Sequence, residues 1–241
     1  MILNTTPPPN WGSDEITRYI DVARNNSIAT FVHKVSAYST VSGISTIFEK
    51  LNTDHRDPES INAVLFLLRA HSAYLASVSL GMSGQLCEAY AVMRLCIENA
   101  LYGHYVHMNS DVMEVWLSRH ESEDNMKKVR DVFTIKNVMG SFHDKDERMA
   151  NAIQTLYERT IDMGGHPNER GLMQTLKIKK VEGNTEYTSD YLAGDGPPLD
   201  LCLKSVAQVG GGVLFIFRHI FPERFEQVDV NRTLEGLAQN L

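Results

Sequence analysis

The chain has 241 residues, of which 43% are hydrophobic and 22% charged, a composition typical of a soluble globular protein with a large core. Its formal net charge of −7 argues against a surface that attracts nucleic acid non-specifically, because that attraction depends on Lys and Arg neutralising phosphates. Three cysteines form no disulfide framework, so the composition excludes a small disulfide-stapled scaffold and predicts a reducing, cytoplasmic location.

Residues 1–12 contain three consecutive prolines and lack the basic segment and apolar run of a signal peptide. They predict an extended N-terminal lead-in to a protein that is not exported. Ser13 and Asp14 predict the N-cap of a first helix, which we expect to end at the Asn-Asn pair of residues 25–26. A second helix is predicted from Ser27 to Leu51.

Two long apolar helices are predicted next, and two shorter helices follow them. The long helices are interrupted only by isolated charges, so we interpret them as buried helices and expect no membrane insertion. The predicted bounds are Ile61–Ser83 and Leu86–Met108 for the long helices, then a short helix capped by Ser110 and another over Ser122–Asn137.

The segment Lys145–Met163 has one apolar stripe, which predicts an amphipathic helix that Gly164 and Gly165 terminate. The sequence "LKIKKVEGNTEYTSDYL" alternates around a Gly-Asn turn and predicts a β-hairpin. A last apolar helix follows "GDGPPLD" through Leu201–Ile220. The fold predicted is therefore all-α: a multi-helix bundle, residues 13–241, with a small β-hairpin appendage.

The helix "LCEAYAVMRLCIENALYGHYVH" is apolar on nearly every side but carries charged residues, which need partners if the helix is central. Arg94 and Glu98 are four residues apart and can pair, with Tyr102 one turn further on the same face. We expect Arg69 to be the partner of Glu88. Either these charges compensate one another inside the bundle, or Arg94, Glu98 and Tyr102 form a polar pocket for an anionic or hydrogen-bonding ligand. A buried pair predicts that Arg94→Ala costs roughly 3 to 5 kcal/mol.

A second polar group lies at the end of the amphipathic helix. Arg159, Asp162 and His166 fall within about 60° of one another around the helix, on the face opposite the apolar stripe. One interpretation is a solvated face whose last turn is capped by Gly and His. The other is a loop shaped to present His166 and Asn168, since two glycines cost backbone entropy.

The combination of "RLCIEN" on an apolar helix with a later "GGHPNERG" resembles a set of uncharacterised bacterial helical proteins of unknown function. More distantly, it is similar to the HEPN ribonucleases, all-α dimers with an Arg, four to six intervening residues and a His. Arg159 and His166 fit that spacing. The resemblance implies metal-independent RNA cleavage, in which His166 moves the proton of a ribose 2′-OH, Arg159 stabilises charge on phosphorus and Asp162 orients His166.

The sequence has no zinc-binding motif, and "VGGGVL" predicts close helix packing rather than phosphate binding. We therefore predict no metal and no cofactor. Two functions are left open: a non-enzymatic domain that binds a ligand or a partner chain, and a HEPN-like ribonuclease that acts on RNA. Three largely apolar helices exceed what one bundle of this size needs, which predicts a homodimer with a two-fold interface.

Overall fold

A computed structural model of the chain describes residues 7–53, 61–165, 169–173, 176–181 and 184–239. Helices dominate these ranges, and the predicted all-α bundle with a β-hairpin appendage is confirmed. The α-helices are α1 (Glu15–His33), α2 (Val35–Asn52), α3 (Ile61–Ser83), α4 (Leu86–Met108), α5 (Val112–Leu117), α6 (Glu123–Val132), α7 (Ile135–His143), α8 (Glu147–Thr160), α9 (Glu169–Met173), α10 (Pro197–Ile220), α11 (Pro222–Gln227) and α12 (Asn231–Gln239). The strands are β1 (Leu176–Val181) and β2 (Asn184–Ser189).

The N-terminal helix begins where the sequence predicts but ends later. Asp14 caps α1 by accepting a hydrogen bond from the Thr17 amide at 2.9 Å. The predicted break at residues 25–26 is wrong, because the Asn26 side chain donates to the Ser83 carbonyl at 3.2 Å and docks the continuing helix on the end of α3. The break between α1 and α2 lies instead at Lys34. Residues 9–12, predicted to be part of an extended lead-in, form turns.

The bundle is built around α4. This helix packs on α3 along its length and also contacts α7, α8 and α10. The bounds of α3 and α4 are those predicted, since each is a largely apolar run between turn signals. Side chains of α4 such as Met93, Ile97 and Leu101 are completely buried. The predicted central position of this helix is therefore confirmed.

The glycines of α10 allow close helix packing. A Cβ atom on Gly210 would overlap the Tyr74 ring of α3, and one on Gly212 would lie 2.5 Å from Ile153 Cδ1 of α8. The glycines of "VGGGVL" therefore serve close helix packing, as the sequence predicts. Both α3 and α10 are long and apolar enough to cross a membrane. Of an apolar stretch of 18 residues in each helix, 67% is buried inside the protein in α10 and 39% in α3.

Two of the shorter elements differ from the prediction. The single helix expected over Ser122–Asn137 is divided into α6 and α7, because Phe133 turns into the core and Thr134 caps a new helix by accepting from the Asn137 amide at 3.2 Å. The short helix α5 begins at Val112, so Ser110 is not its cap.

The β-hairpin is confirmed, with Ile178 opposite Tyr187 in its antiparallel register. Asn184, predicted in the turn, instead pairs with Val181. The turn at residues 182–183 lies outside the described residues. The strand β2 is exposed along its whole length.

Candidate functional site

The amphipathic helix α8 carries polar groups on two sides. Asp146 caps its first turn by accepting a hydrogen bond from the Met149 amide at 3.0 Å. The predicted apolar stripe faces inward, and Ile153 and Thr160 are buried within it. Tyr157 points toward α4, whereas Arg159 points toward α10. The helix therefore separates two polar clusters.

The first cluster contains the predicted pair of Arg94 and Glu98. Arg94 Nε lies 2.8 Å from Glu98 Oε1, and the Tyr157 hydroxyl donates to the same oxygen at 3.0 Å. The Arg94 guanidinium also lies over the Tyr157 ring, 5.4 Å from its centroid. The two charged side chains are 27% and 30% exposed, so the predicted pair is present but only half-buried.

The other residues assigned to this cluster from the sequence lie apart from it. Tyr102 donates its hydroxyl to the Phe133 carbonyl at 2.9 Å and packs against the rings of Phe133 and Trp116. It forms part of an aromatic cluster and makes no hydrogen bond to the Arg94 pair. Arg69 and Glu88 are both exposed and form no ion pair with each other, so that prediction is wrong. Both side chains lie on the exposed side of their helices and not in the core, where the sequence analysis placed them.

The second cluster surrounds Arg159, for which a solvated face was one of two interpretations of the sequence. Arg159 is half-buried, and its Nη1 donates to the Gln208 side chain of α10 at 2.5 Å and to the Ser205 hydroxyl at 3.3 Å. Ser205 in turn lies 3.3 Å from the buried hydroxyl of Tyr90 on α4. Burial raises the pKa of Tyr90 to about 12, so this phenol is neutral at physiological pH.

Sequence reasoning missed these partners of Arg159. The available signal was that Ser205 and Gln208 are polar residues three apart on a helix that is otherwise almost entirely apolar. Such residues lie on one face of a helix and require polar partners when they are buried. The partner could not be identified from the sequence, since α8 and α10 are separated by the hairpin.

A groove of about 330 Å³ runs between α8 and α10, and Arg159 lies at its edge. Its walls are mostly apolar, with Met149 and Leu156 from α8 and Phe215 from α10. Gly212 contributes to its floor, and Gln208 lines it beside Arg159. The arrangement is a concave apolar surface with one cation and one amide at the side.

Asp162 does not join Arg159 in the predicted group. Asp162 is exposed and pairs with Arg170, whose Nη1 lies 3.3 Å from Asp162 Oδ2. His166 and Asn168 lie outside the described residues. Of the two predicted catalytic side chains that are described, Arg159 lines a groove and Asp162 is exposed.

The glycine pair before His166 has a packing role. Gly164, in the π-helical turn Ile161–Gly165, has φ 146°, a conformation that other residues rarely adopt. A Cβ atom there would lie 2.7 Å from the Cys87 Cα of α4. Close approach to α4 therefore requires glycine at position 164, whatever the role of the histidine that follows.

Among the described residues, no group of three or more His, Cys, Asp or Glu side chains is placed to hold a metal ion. The three cysteines are free thiols, and Cys96 and Cys202 are buried. The candidate site is therefore the groove and the Arg159 cluster at its edge. A comparison of the chain with protein-family models, with curated proteins and with solved structures finds no match.

Proposed function

We propose that this protein binds a small amphiphilic molecule, with its apolar body in the groove between α8 and α10 and its anionic head group on Arg159. The observation that supports the proposal is the hydrogen bonding of this arginine. Among the described residues, only Nη1 has acceptors, the neutral side chains of Ser205 and Gln208. Within the described ranges, Nε and Nη2 have no protein acceptor and no carboxylate compensates the charge.

An arginine held in this way is suited to an anion. The planar guanidinium presents parallel N–H groups that match a carboxylate or a phosphate. Ser205 and Gln208 fix the orientation of the Arg159 side chain without neutralising it, so less conformational entropy is lost when a ligand binds.

The groove is suited to the apolar part of the ligand. Its volume of about 330 Å³ lies at the lower end of the roughly 300 to 1,000 Å³ usual for small-molecule sites. Its apolar walls come from Met149, Leu156 and Phe215, and no acidic side chain lines it in the part of the chain that the structure describes. A ligand with a short alkyl or aromatic body and one negative charge fits both features.

Calorimetric titration with decanoate tests this proposal. We expect wild-type protein to bind decanoate, and Arg159→Met to bind it roughly 10- to 100-fold more weakly, because a charge-assisted hydrogen bond contributes about 1.5 to 3 kcal/mol. Arg148→Ala, which removes an exposed arginine of the same helix, is the matched control and should bind like wild type. Equal affinity of Arg159→Met and wild type would contradict the proposed site.

Ribonuclease activity is the second candidate function. One observation favours it: Arg159, which the family resemblance pairs with His166, lines an open groove rather than projecting into solvent. Incubating the purified protein with mixed RNAs in EDTA tests this function. Cleavage that is lost in both His166→Ala and Arg159→Met would support it, whereas cleavage equal in wild type and His166→Ala would exclude these residues as its source.

A further inference from the structure

The outward face of α3 is apolar and uncovered. Ile61, Leu65, Leu68 and Leu75 expose 55%, 52%, 43% and 47% of their surface. Isolated exposed leucines are common on proteins, but these four follow one another along a single helix face. The opposite side of α3 packs on α10, since Tyr74 meets Gly210 there.

The spacing on this face is that of a helix-pairing seam. Exposed residues recur at positions 61, 65, 68, 72, 75 and 79, with alternating intervals of four and three. These intervals are the a and d positions of a heptad, which face a partner helix. The small residues Ser72 and Ser79 occupy two of the six positions, and Arg69 is the single charged residue of α3.

We propose that this face binds a second copy of the chain, with the two α3 helices antiparallel about a two-fold axis at the level of position 70. A two-fold interface must be complementary to itself. In this register Ile61 faces Ser79 of the partner subunit, Leu65 faces Leu75 of the partner subunit, and Leu68 faces Ser72 of the partner subunit. A large side chain therefore meets a serine in the pairs formed by Ile61 and by Leu68. In the pair between these two, Leu65 meets a leucine.

A groove at one end of the face fits the register. This groove, of about 470 Å³, lies between α1 and α3 and is lined by Ser79 together with Ile28 and Phe31. Ile28 and Phe31 are themselves 56% and 51% exposed. Since Ser79 is the residue that faces Ile61 of the partner subunit, that isoleucine would enter this recess and contact Ile28 and Phe31, beside polar lining residues such as Arg24 and Gln85.

The outward side of α3 supplies part of the area that a stable dimer requires. This 23-residue helix is about 35 Å long and about 10 Å wide, so one side of it covers roughly 350 Å². Stable interfaces bury about 800 Å² on each partner. The exposed Ile28 and Phe31 of α1, which line the groove beside Ser79, add to this area.

A lipid surface is the other occupant that an apolar helix face could have. Helices that lie on membranes carry several Lys or Arg residues on their polar side. The described face of α3 provides only Arg69, and two of its seam positions are serines. A second copy therefore fits the chemistry of this face better than a bilayer does.

Sedimentation velocity at 1 to 50 µM tests the proposal. We expect wild type to have twice the 27.1 kDa mass of one chain. Leu68→Lys should raise the dimer dissociation constant about 100-fold, because it would place a charge opposite Ser72 of the partner subunit, inside the seam and without a carboxylate partner. Leu117→Lys, at a residue of α5 that is 68% exposed, is the matched control and should remain dimeric. A monomeric wild type at 50 µM, or a dimer that Leu68→Lys leaves intact, would overturn the proposal.

Cross-linking tests the register independently of Leu68→Lys. Mixed Leu65→Cys and Leu75→Cys chains, incubated with oxidised glutathione, should form a disulfide-linked dimer, whereas each variant alone should not. Positions 65 of the two copies would be about 15 Å apart along the axis, too far for a disulfide. Cross-linking in the single variants, or none in the mixture, would contradict the register. Binding of a monomeric protein to phosphatidylcholine vesicles would assign the face to lipid instead.

Discussion

Lowering the pH from 7 to 5 is expected to destabilise the protein by about 2 kcal/mol through one side chain, His104. This residue of α4 is 1% exposed, and neither ring nitrogen has a hydrogen-bond partner among the described residues. Its ring packs against that of Phe142, with centroids 5.1 Å apart. Burial lowers the pKa of His104 to about 4, and the charges of His219 and His107 act in the same direction.

The direction of the effect follows from proton binding. In the unfolded chain His104 takes up a proton near its ordinary pKa of about 6.5, whereas in the folded protein it does so only near pH 4. The unfolded state therefore binds more protons as the pH falls below 6.5. The resulting loss of stability is about 2 kcal/mol at pH 5 and reaches about 3 kcal/mol below pH 4.

Urea denaturation at a series of pH values measures this loss. In His104→Leu the free energy of unfolding should change by about 2 kcal/mol less between pH 7 and pH 5 than in wild type, because the titrating group is gone. His120→Leu removes an exposed histidine that does not act on the pKa of His104, and it should keep the wild-type pH dependence. Parallel pH curves for wild type and His104→Leu would refute the assignment of a depressed pKa to this buried imidazole.

Two further predictions concern packing and the half-buried ion pair. Gly210→Ala should lower the free energy of unfolding by about 1 to 3 kcal/mol, because the new methyl group would overlap the Tyr74 ring. The control Gly140→Ala has open space at its Cβ and should be neutral or stabilising; thermal melts measure both variants. Arg94→Ala should lower the free energy of unfolding by only about 1 kcal/mol, not the roughly 3 to 5 kcal/mol expected for a buried pair, because Glu98 is 30% exposed and solvent can replace the arginine. A loss above about 3 kcal/mol in urea titrations would contradict this.

The sequence predicted the elements whose ends are marked by local signals. The bounds of α3 and α4 were correct because each is one apolar run between turn residues. The end of α1 was not predictable, since Asn26 breaks a helix by its local preference but donates here to a carbonyl on α3. The division between α6 and α7 likewise depends on the burial of Phe133, which is a tertiary effect.

The same distinction applies to the candidate site. The pairing of Arg94 with Glu98 was predictable because the two residues are four apart on one helix. The role of Arg159 was not, because its partner Gln208 lies 49 residues along the chain and on another helix. The position of Arg159 around its own helix left a solvated face and a functional group both open, because it contains no information about the helix packed against it.

Exchange of the charge at position 159 tests the central claim most directly. Binding of decanoate and of decylammonium, which share an alkyl body and differ in the sign of the head group, is measured by calorimetry for wild type and for Arg159→Glu. We predict that wild type prefers decanoate by at least about tenfold, and that Arg159→Glu reverses the preference, because the charge at this edge of the groove selects the head group. A preference that is the same in both proteins would contradict the account.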